Sequence, residues 1–166
     1  MLREIVLDLE TTGLNPKEGH RVVEIGAVEL LDKVPSGKIF QCYLNPERDV
    51  PQEAVKVHGL TREFLQEHPT FPDKIKDLSE FIGTVPIVAH NAPFDISFLN
   101  HELKLMNQPP VKPKRVIDTL SLARQKYPGQ KCTLDALLDR LDIKEARGTH
   151  GALLDAQLLA QVYPKL

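Results

Sequence analysis

The feature that most constrains this chain is an apolar run that ends in two carboxylates. Ile5-Val6-Leu7 reads as a buried strand, and Asp8 and Glu10 follow it two residues apart. Because strand side chains alternate, Val6, Asp8 and Glu10 share one face while Ile5, Leu7 and Leu9 share the other. Two ionised carboxylates side by side in a desolvated place raise each other's pKa, and burial raises both. A bound divalent cation reverses that penalty, and hard carboxylate oxygens suit Mg²⁺ or Mn²⁺ rather than zinc. The Thr11-Thr12-Gly13 turn that follows brings backbone amides within reach of a phosphate or nucleotide. An isolated D-x-E more often caps a turn and faces solvent, so the remaining sequence must carry the functional reading.

The order of elements is legible further along. Val22 to Leu31 is expected to form a second strand and Ile39 to Leu44 a third, joined through Val34-Pro35-Ser36-Gly37 in a hairpin-like connection, with all three strands antiparallel. Short helical pieces follow in PQEAVKVHG and TREFLQEH, then an amphipathic segment from Pro72 to Ile82. Pro86 to Ala89 reads as a short buried strand, HNAPFD as a turn, and Ile96 to Met106 as a helix with Asp95 in its first turn. Asn107 to Lys114, with three prolines, reads as a loop before a strand at Arg115 to Ile117 and three more helical segments. Strands first and strand–helix alternation afterwards predict an α/β domain with a mixed sheet covered by helices. At 166 residues the chain fits a single domain, 1–166, with an ordinary core.

Charge and cysteine use narrow the function classes. A net charge of -2 argues against coating a long duplex nonspecifically, but leaves room for an enzyme that grips a chain end. Cys42 and Cys132 are far apart with no zinc-type spacing, and no signal segment or membrane-length apolar run is present; a soluble, cytoplasmic protein with no membrane contact is expected. Between Lys104 and Lys131 seven basic residues face one acid, Asp118. Such a run is either a solvated face, a track for a single strand with Lys112, Lys114 and Arg115 at its centre, or a dock for an acidic partner.

Three further polar residues sit at telling places. Asp95 lies where a strand turns into its helix, the usual ligand position in open α/β sheets, although a simple N-terminal acid would look the same. In the last helix, from Gly151 to Val162, the apolar stripe Leu158, Leu159 and Val162 is headed by Asp155. His150 would lie about 140° from Asp155 around a continuous helix. Preceded by Gly148 and Thr149, it is expected on a mobile approach to that helix, where its pKa suits proton transfer near neutrality.

Together DLETTGL, HNAPFDISFL and HGALLDAQ resemble the three motifs of the histidine branch of the DEDD exonuclease superfamily, most closely the family of epsilon proofreading subunits of bacterial DNA polymerase III. EIGAVE, VHGLT and TLDALLDRL extend the similarity over essentially the whole chain. The resemblance implies a ribonuclease-H-like fold, a mixed five-stranded sheet flanked by helices. It implies that Asp8, Glu10, Asp95 and Asp155 hold two divalent cations, Mg²⁺ or Mn²⁺, with His150 as general base. Glu53 and His58, with Thr11 and the carboxylates Asp8, Glu10 and Asp155, would contact the terminal nucleotide. The implied activity is 3′–5′ exonuclease proofreading during DNA replication, releasing nucleoside 5′-monophosphates. The implied partners are a single-stranded DNA 3′ end, the DNA polymerase III alpha subunit and a small accessory subunit. Epsilon subunits continue into a linker and a polymerase-binding tail, whereas this sequence ends at Tyr163-Pro164-Lys165-Leu166, as a truncated or free-standing relative would. Two other functions stay open: a 3′ exoribonuclease or general single-strand exonuclease, and a catalytically dead module that stabilises a polymerase.

Overall fold

The computed structural model describes residues 1–144 and 149–166. Its five strands are β1 (Arg3–Thr11), β2 (Val22–Leu31), β3 (Val34–Tyr43), β4 (Ile87–Ala89) and β5 (Val116–Asp118). They form one mixed sheet in the order β3-β2-β1-β4-β5. β1, β2 and β3 are antiparallel to one another in turn, while β4 and β5 run parallel to β1 and to each other. The C-terminal ends of β1, β4 and β5 therefore point the same way.

The helices are α1 (Gln52–His58), α2 (Arg62–Leu65), α3 (Phe71–Ile82), α4 (Ala92–Leu105), α5 (Thr119–Lys126), α6 (Leu134–Arg140) and α7 (Ala152–Val162). The alternation expected of β1 sorts the core into two layers. Ile5, Leu7 and Leu9 pack against Phe71, Leu78 and Ile82 of α3 and Phe98, Leu99 and Leu103 of α4. Val6, on the opposite face, packs with Ala123, Leu137 and Leu138, and with Ala156, Leu158, Leu159 and Val162 of α7. Among the described residues no helix is long and apolar enough to cross a membrane.

Two local expectations need correction. The hairpin turn is Asp32-Lys33, with φ of 50 and 66, and Val34 to Gly37 belongs to β3. Two positive φ values in a two-residue loop make the primed turn whose twist suits the flanking strands. Pro35 is tolerated because β3 is the sheet's edge, beside an irregularity between Val28 and Leu30. Helix α4 begins at Ala92 rather than Ile96, since Pro93 in the first helical turn lacks only an N–H that would have had no partner there. Gly148, expected to loosen the approach to α7, lies outside the described residues.

Candidate active site

A cleft of about 660 Å³ opens at the C-terminal ends of β1 and β4 and is lined by Asp8, Glu10, Asp95, His150 and Asp155. One ligand atom from each of Glu10, His150 and Asp155 lies within 4.8 Å of the others. Asp8 and Asp95 line the same cleft outside that tighter group.

The four carboxylates arrive on three supports, β1, α4 and α7. Asp8 and Glu10 come from β1, where they sit opposite Gly26 and Glu24 of β2. Asp95 comes from α4, whose chain turns out of β4 through Asn91 at φ 61, a left-handed conformation that asparagine tolerates better than most residues. Asp118 then fastens this step, accepting the Ala92 N–H of α4 and the Leu120 N–H of α5 on one oxygen, each at 3.1 Å. Burial drives the Asp95 carboxyl well above the usual range; a hydrogen bond from the Leu9 main chain opposes this and the Asp118 charge adds to it. Its Oδ2 is buried and accepts no hydrogen bond among the described residues. A buried carboxylate in that state, facing further acids and an imidazole, fits a divalent cation.

Asp155 and His150 depend on the placement of α7. Gly151 has no side chain with which to cap this helix, and the carboxylate of Glu24 does so from β2, accepting the Ala152 N–H at 2.8 Å. Gln41 donates to the other Glu24 oxygen at 2.9 Å. Gly26 makes the approach possible, since a Cβ there would stand 2.3 Å from the main chain of Ala152 and Leu153. Just before the helix, the His150 N–H donates to the Val57 carbonyl at 2.8 Å, which ties the approach to α1.

The predicted nucleotide contacts lie in a second arm of about 620 Å³, which shares Leu9, Glu10 and Phe94 with the first. Thr11, Glu53 and His58 all line it. His58 spends both ring nitrogens on the protein: Nε2 donates to the Thr11 carbonyl at 3.0 Å, and Nδ1 accepts the Leu60 N–H at 3.0 Å. That pattern requires the neutral ring, in accord with burial holding its pKa below the ordinary value against the Thr11 hydrogen bond. The Thr12 amide expected to face a phosphate instead donates to the Arg21 carbonyl at 2.9 Å.

Sequence reasoning missed Glu24, Gly26 and His90, and noticed Arg124 and Asp118 only as members of a basic run and its one acid. Asp118 carried a signal, because an Asp before a helical run is a common N-cap. Glu24 carried none, since its partner is 128 residues away.

Comparison with known proteins gives a consistent setting. The exonuclease family profile, RNase_T, matches residues 5–163. The chain is 52% identical over 169 aligned positions to the DNA polymerase III subunit epsilon of Rickettsia typhi, covering 99% of this chain and 74% of that one. It resembles the structure of exonuclease X in complex with 5′ overhanging duplex DNA, with a TM-score of 0.73, 27% identity, and 98% and 92% of the two chains covered. It shares its fold with the nuclease domain of 3′hExo, a DEDDh family member bound to rAMP, at a TM-score of 0.83, 19% identity, and 98% and 90% coverage.

Proposed function

Because the chain belongs to the exonuclease family and, within it, to the family of DNA polymerase III epsilon subunits, we propose that it removes nucleotides from DNA 3′ ends as the proofreading nuclease of a replicative polymerase. The observation that carries this reading is the convergence of Asp8, Glu10, Asp95, His150 and Asp155 on one cleft. Asp8, Glu10, Asp95 and Asp155 would hold two divalent cations, Mg²⁺ or Mn²⁺. When bound, such ions acidify an attacking water and offset the charge on the departing oxygen.

The chain's own residues do the rest. Thr11, Glu53 and the ring edge of His58 seat the terminal nucleoside in the second arm, whose apolar wall excludes water. His150 takes the proton of the water whose oxygen attacks the scissile phosphorus. The bond from phosphorus to the 3′ oxygen breaks as that oxygen takes a proton from solvent water, releasing a nucleoside 5′-monophosphate and a strand one residue shorter, and His150 returns its proton to solvent. Partnership with the polymerase alpha subunit and a small accessory subunit, and a cytoplasmic setting, follow from the same reading.

The test is a 5′-labelled primer, matched or mismatched at its 3′ end and made of DNA or RNA, incubated with and without Mg²⁺ or Mn²⁺. Metal-dependent shortening one nucleotide at a time, faster at the mismatch, is expected on DNA. Equal or faster shortening of RNA would move the reading to an exoribonuclease, and no shortening would leave a non-catalytic module.

A further inference from the structure

We propose that Arg124 and Lys131 form a wall that grips the phosphates of the single strand upstream of its terminal nucleotide, so that the strand leaves the site across α5 and the loop before α6. The inference rests on the nuclease reading of the same cleft and adds a direction to it.

The basic run between Lys104 and Lys131 divides in the fold. Arg115 and its neighbours Lys112 and Lys114 precede β5, at the opposite end of the parallel strands from the carboxylates. Arg115 is also committed to the protein, donating to the carbonyls of Gly83 and Val85. The centre expected for a strand-tracking patch therefore lies on the wrong end of the sheet. Lys126 turns to the Lys165 carbonyl and the Tyr127 ring. Arg124 and Lys131, by contrast, line the carboxylate cleft itself. Neither enters an ion pair among the described residues.

Both residues stand on supports fixed to the catalytic side. Asp118 caps α5, which carries Arg124, and α4, which carries Asp95, with the same oxygen. His90 Nε2 donates to the Cys132 carbonyl at 2.7 Å, pinning the residue after Lys131 to the end of β4. The backbone beneath both exposed cations is thus fixed relative to the acids.

The presence of cations, rather than the number of acids, distinguishes the two arms. The arm holding Thr11, Glu53 and His58 includes three acids, Glu10, Glu18 and Glu53, and no Lys or Arg among its described lining. Its wall of Leu14, Pro51, Ala54, Val57 and Phe94 suits a base and sugar but repels a run of phosphates. A polyanion entering beside five carboxylates, Asp8, Glu10, Asp95, Asp155 and Asp135 of α6, needs a counter-attraction, and among the cleft's described lining Arg124 and Lys131 supply it.

The experiment compares the dinucleotide TpT, which has only the scissile phosphate, with oligothymidylate of eight residues. In the wild type KM should fall from dimer to octamer. The double variant Arg124→Gln/Lys131→Gln should lose most of that gain, about tenfold on the octamer, and flatten the slope of log KM against log salt by about 1.4, two contacts at about 0.7 each. Anisotropy of a fluorescein-labelled octamer in EDTA reads the same change in slope without cleavage. An unaltered octamer slope would assign the two cations to solvent or an acidic protein partner and overturn the proposal, as would an equal loss on TpT. Wild-type protein that binds the octamer with the full slope yet cleaves nothing would sink the nuclease reading alone.

Discussion

Helix α4 brings Asp95 to the cleft from one face of the sheet and α7 brings Asp155 from the other, yet their N-termini are fastened differently. Helix α4 follows β4 directly and is held by Asp118, which sits beside it on the neighbouring parallel strand. Its position is a matter of local chain path plus one hydrogen bond. Helix α7 is preceded, among the described residues, by helix α6 rather than by a strand. It is located by a carboxylate, Glu24, and by a missing side chain, Gly26, both on β2. The first helix is delivered by its own strand, and the second must be received by a prepared surface. Substitutions at the receiving surface should therefore harm Asp155 and His150 while sparing Asp95.

The largest effect expected is equal for the two helices. Asp95→Asn and Asp155→Asn should each leave a folded protein with nuclease activity below detection in a gel assay, because each removes one proposed metal ligand. Residual activity near wild type in either would detach that helix from the chemistry. The melts should then separate them: metal-free Asp95→Asn should melt above wild type, since burial already disfavours that charge. His150→Ala should slow single-turnover cleavage by about 10² to 10⁴, the range for losing a general base, with Mn²⁺ affinity largely kept. A matching loss of Mn²⁺ affinity by calorimetry would make His150 a ligand instead, which its closeness to Glu10 and Asp155 permits.

Gly26→Ala and Glu24→Gln sharpen the comparison at the next level down. The alanine methyl would meet main chain rather than a movable side chain, so α7 must shift, at about 1 to 3 kcal/mol of stability. Glu24→Gln keeps an acceptor for the Ala152 N–H but loses its charge, and should weaken Mn²⁺ binding by about 10- to 100-fold, as outer supports of metal ligands do. If Asp118→Asn weakens Mn²⁺ as much as Gly26→Ala does, the two helices are not placed by different means.

The smallest effect concerns the nucleotide arm. With its folded pKa below the ordinary 6.5, His58 binds fewer protons in the folded chain than in the unfolded one. Its contribution is then complete above about pH 6.5 and is lost as pH falls through the lowered folded value. The melting temperature of wild type should drop more between about pH 7.5 and 5.5 than that of His58→Gln. Identical drops would mean that the ring titrates freely.

The same contrast explains what was legible in the sequence. The β2 boundaries, the two-faced pattern of β1 and the strand–turn–helix step at Asp95 are local, and periodicity reads them directly. The hairpin was misplaced because Pro35-Ser36-Gly37 is the louder turn signal, while Asp32-Lys33 makes the turn. Asp155 was found through its helical stripe, but nothing within α7 reveals what caps it. The basic residues could be counted but not sorted, because only the strand directions separate Arg124 from Arg115.

The absent side chain at Gly26 also supplies a way to tell working relatives from impostors. A protein carrying all four carboxylates and the histidine, but with a bulkier residue opposite Asp8, would keep the motifs and lose the landing place for its last helix. Such a chain would be a nuclease by spelling only, and one position on a strand that carries no chemistry would give it away.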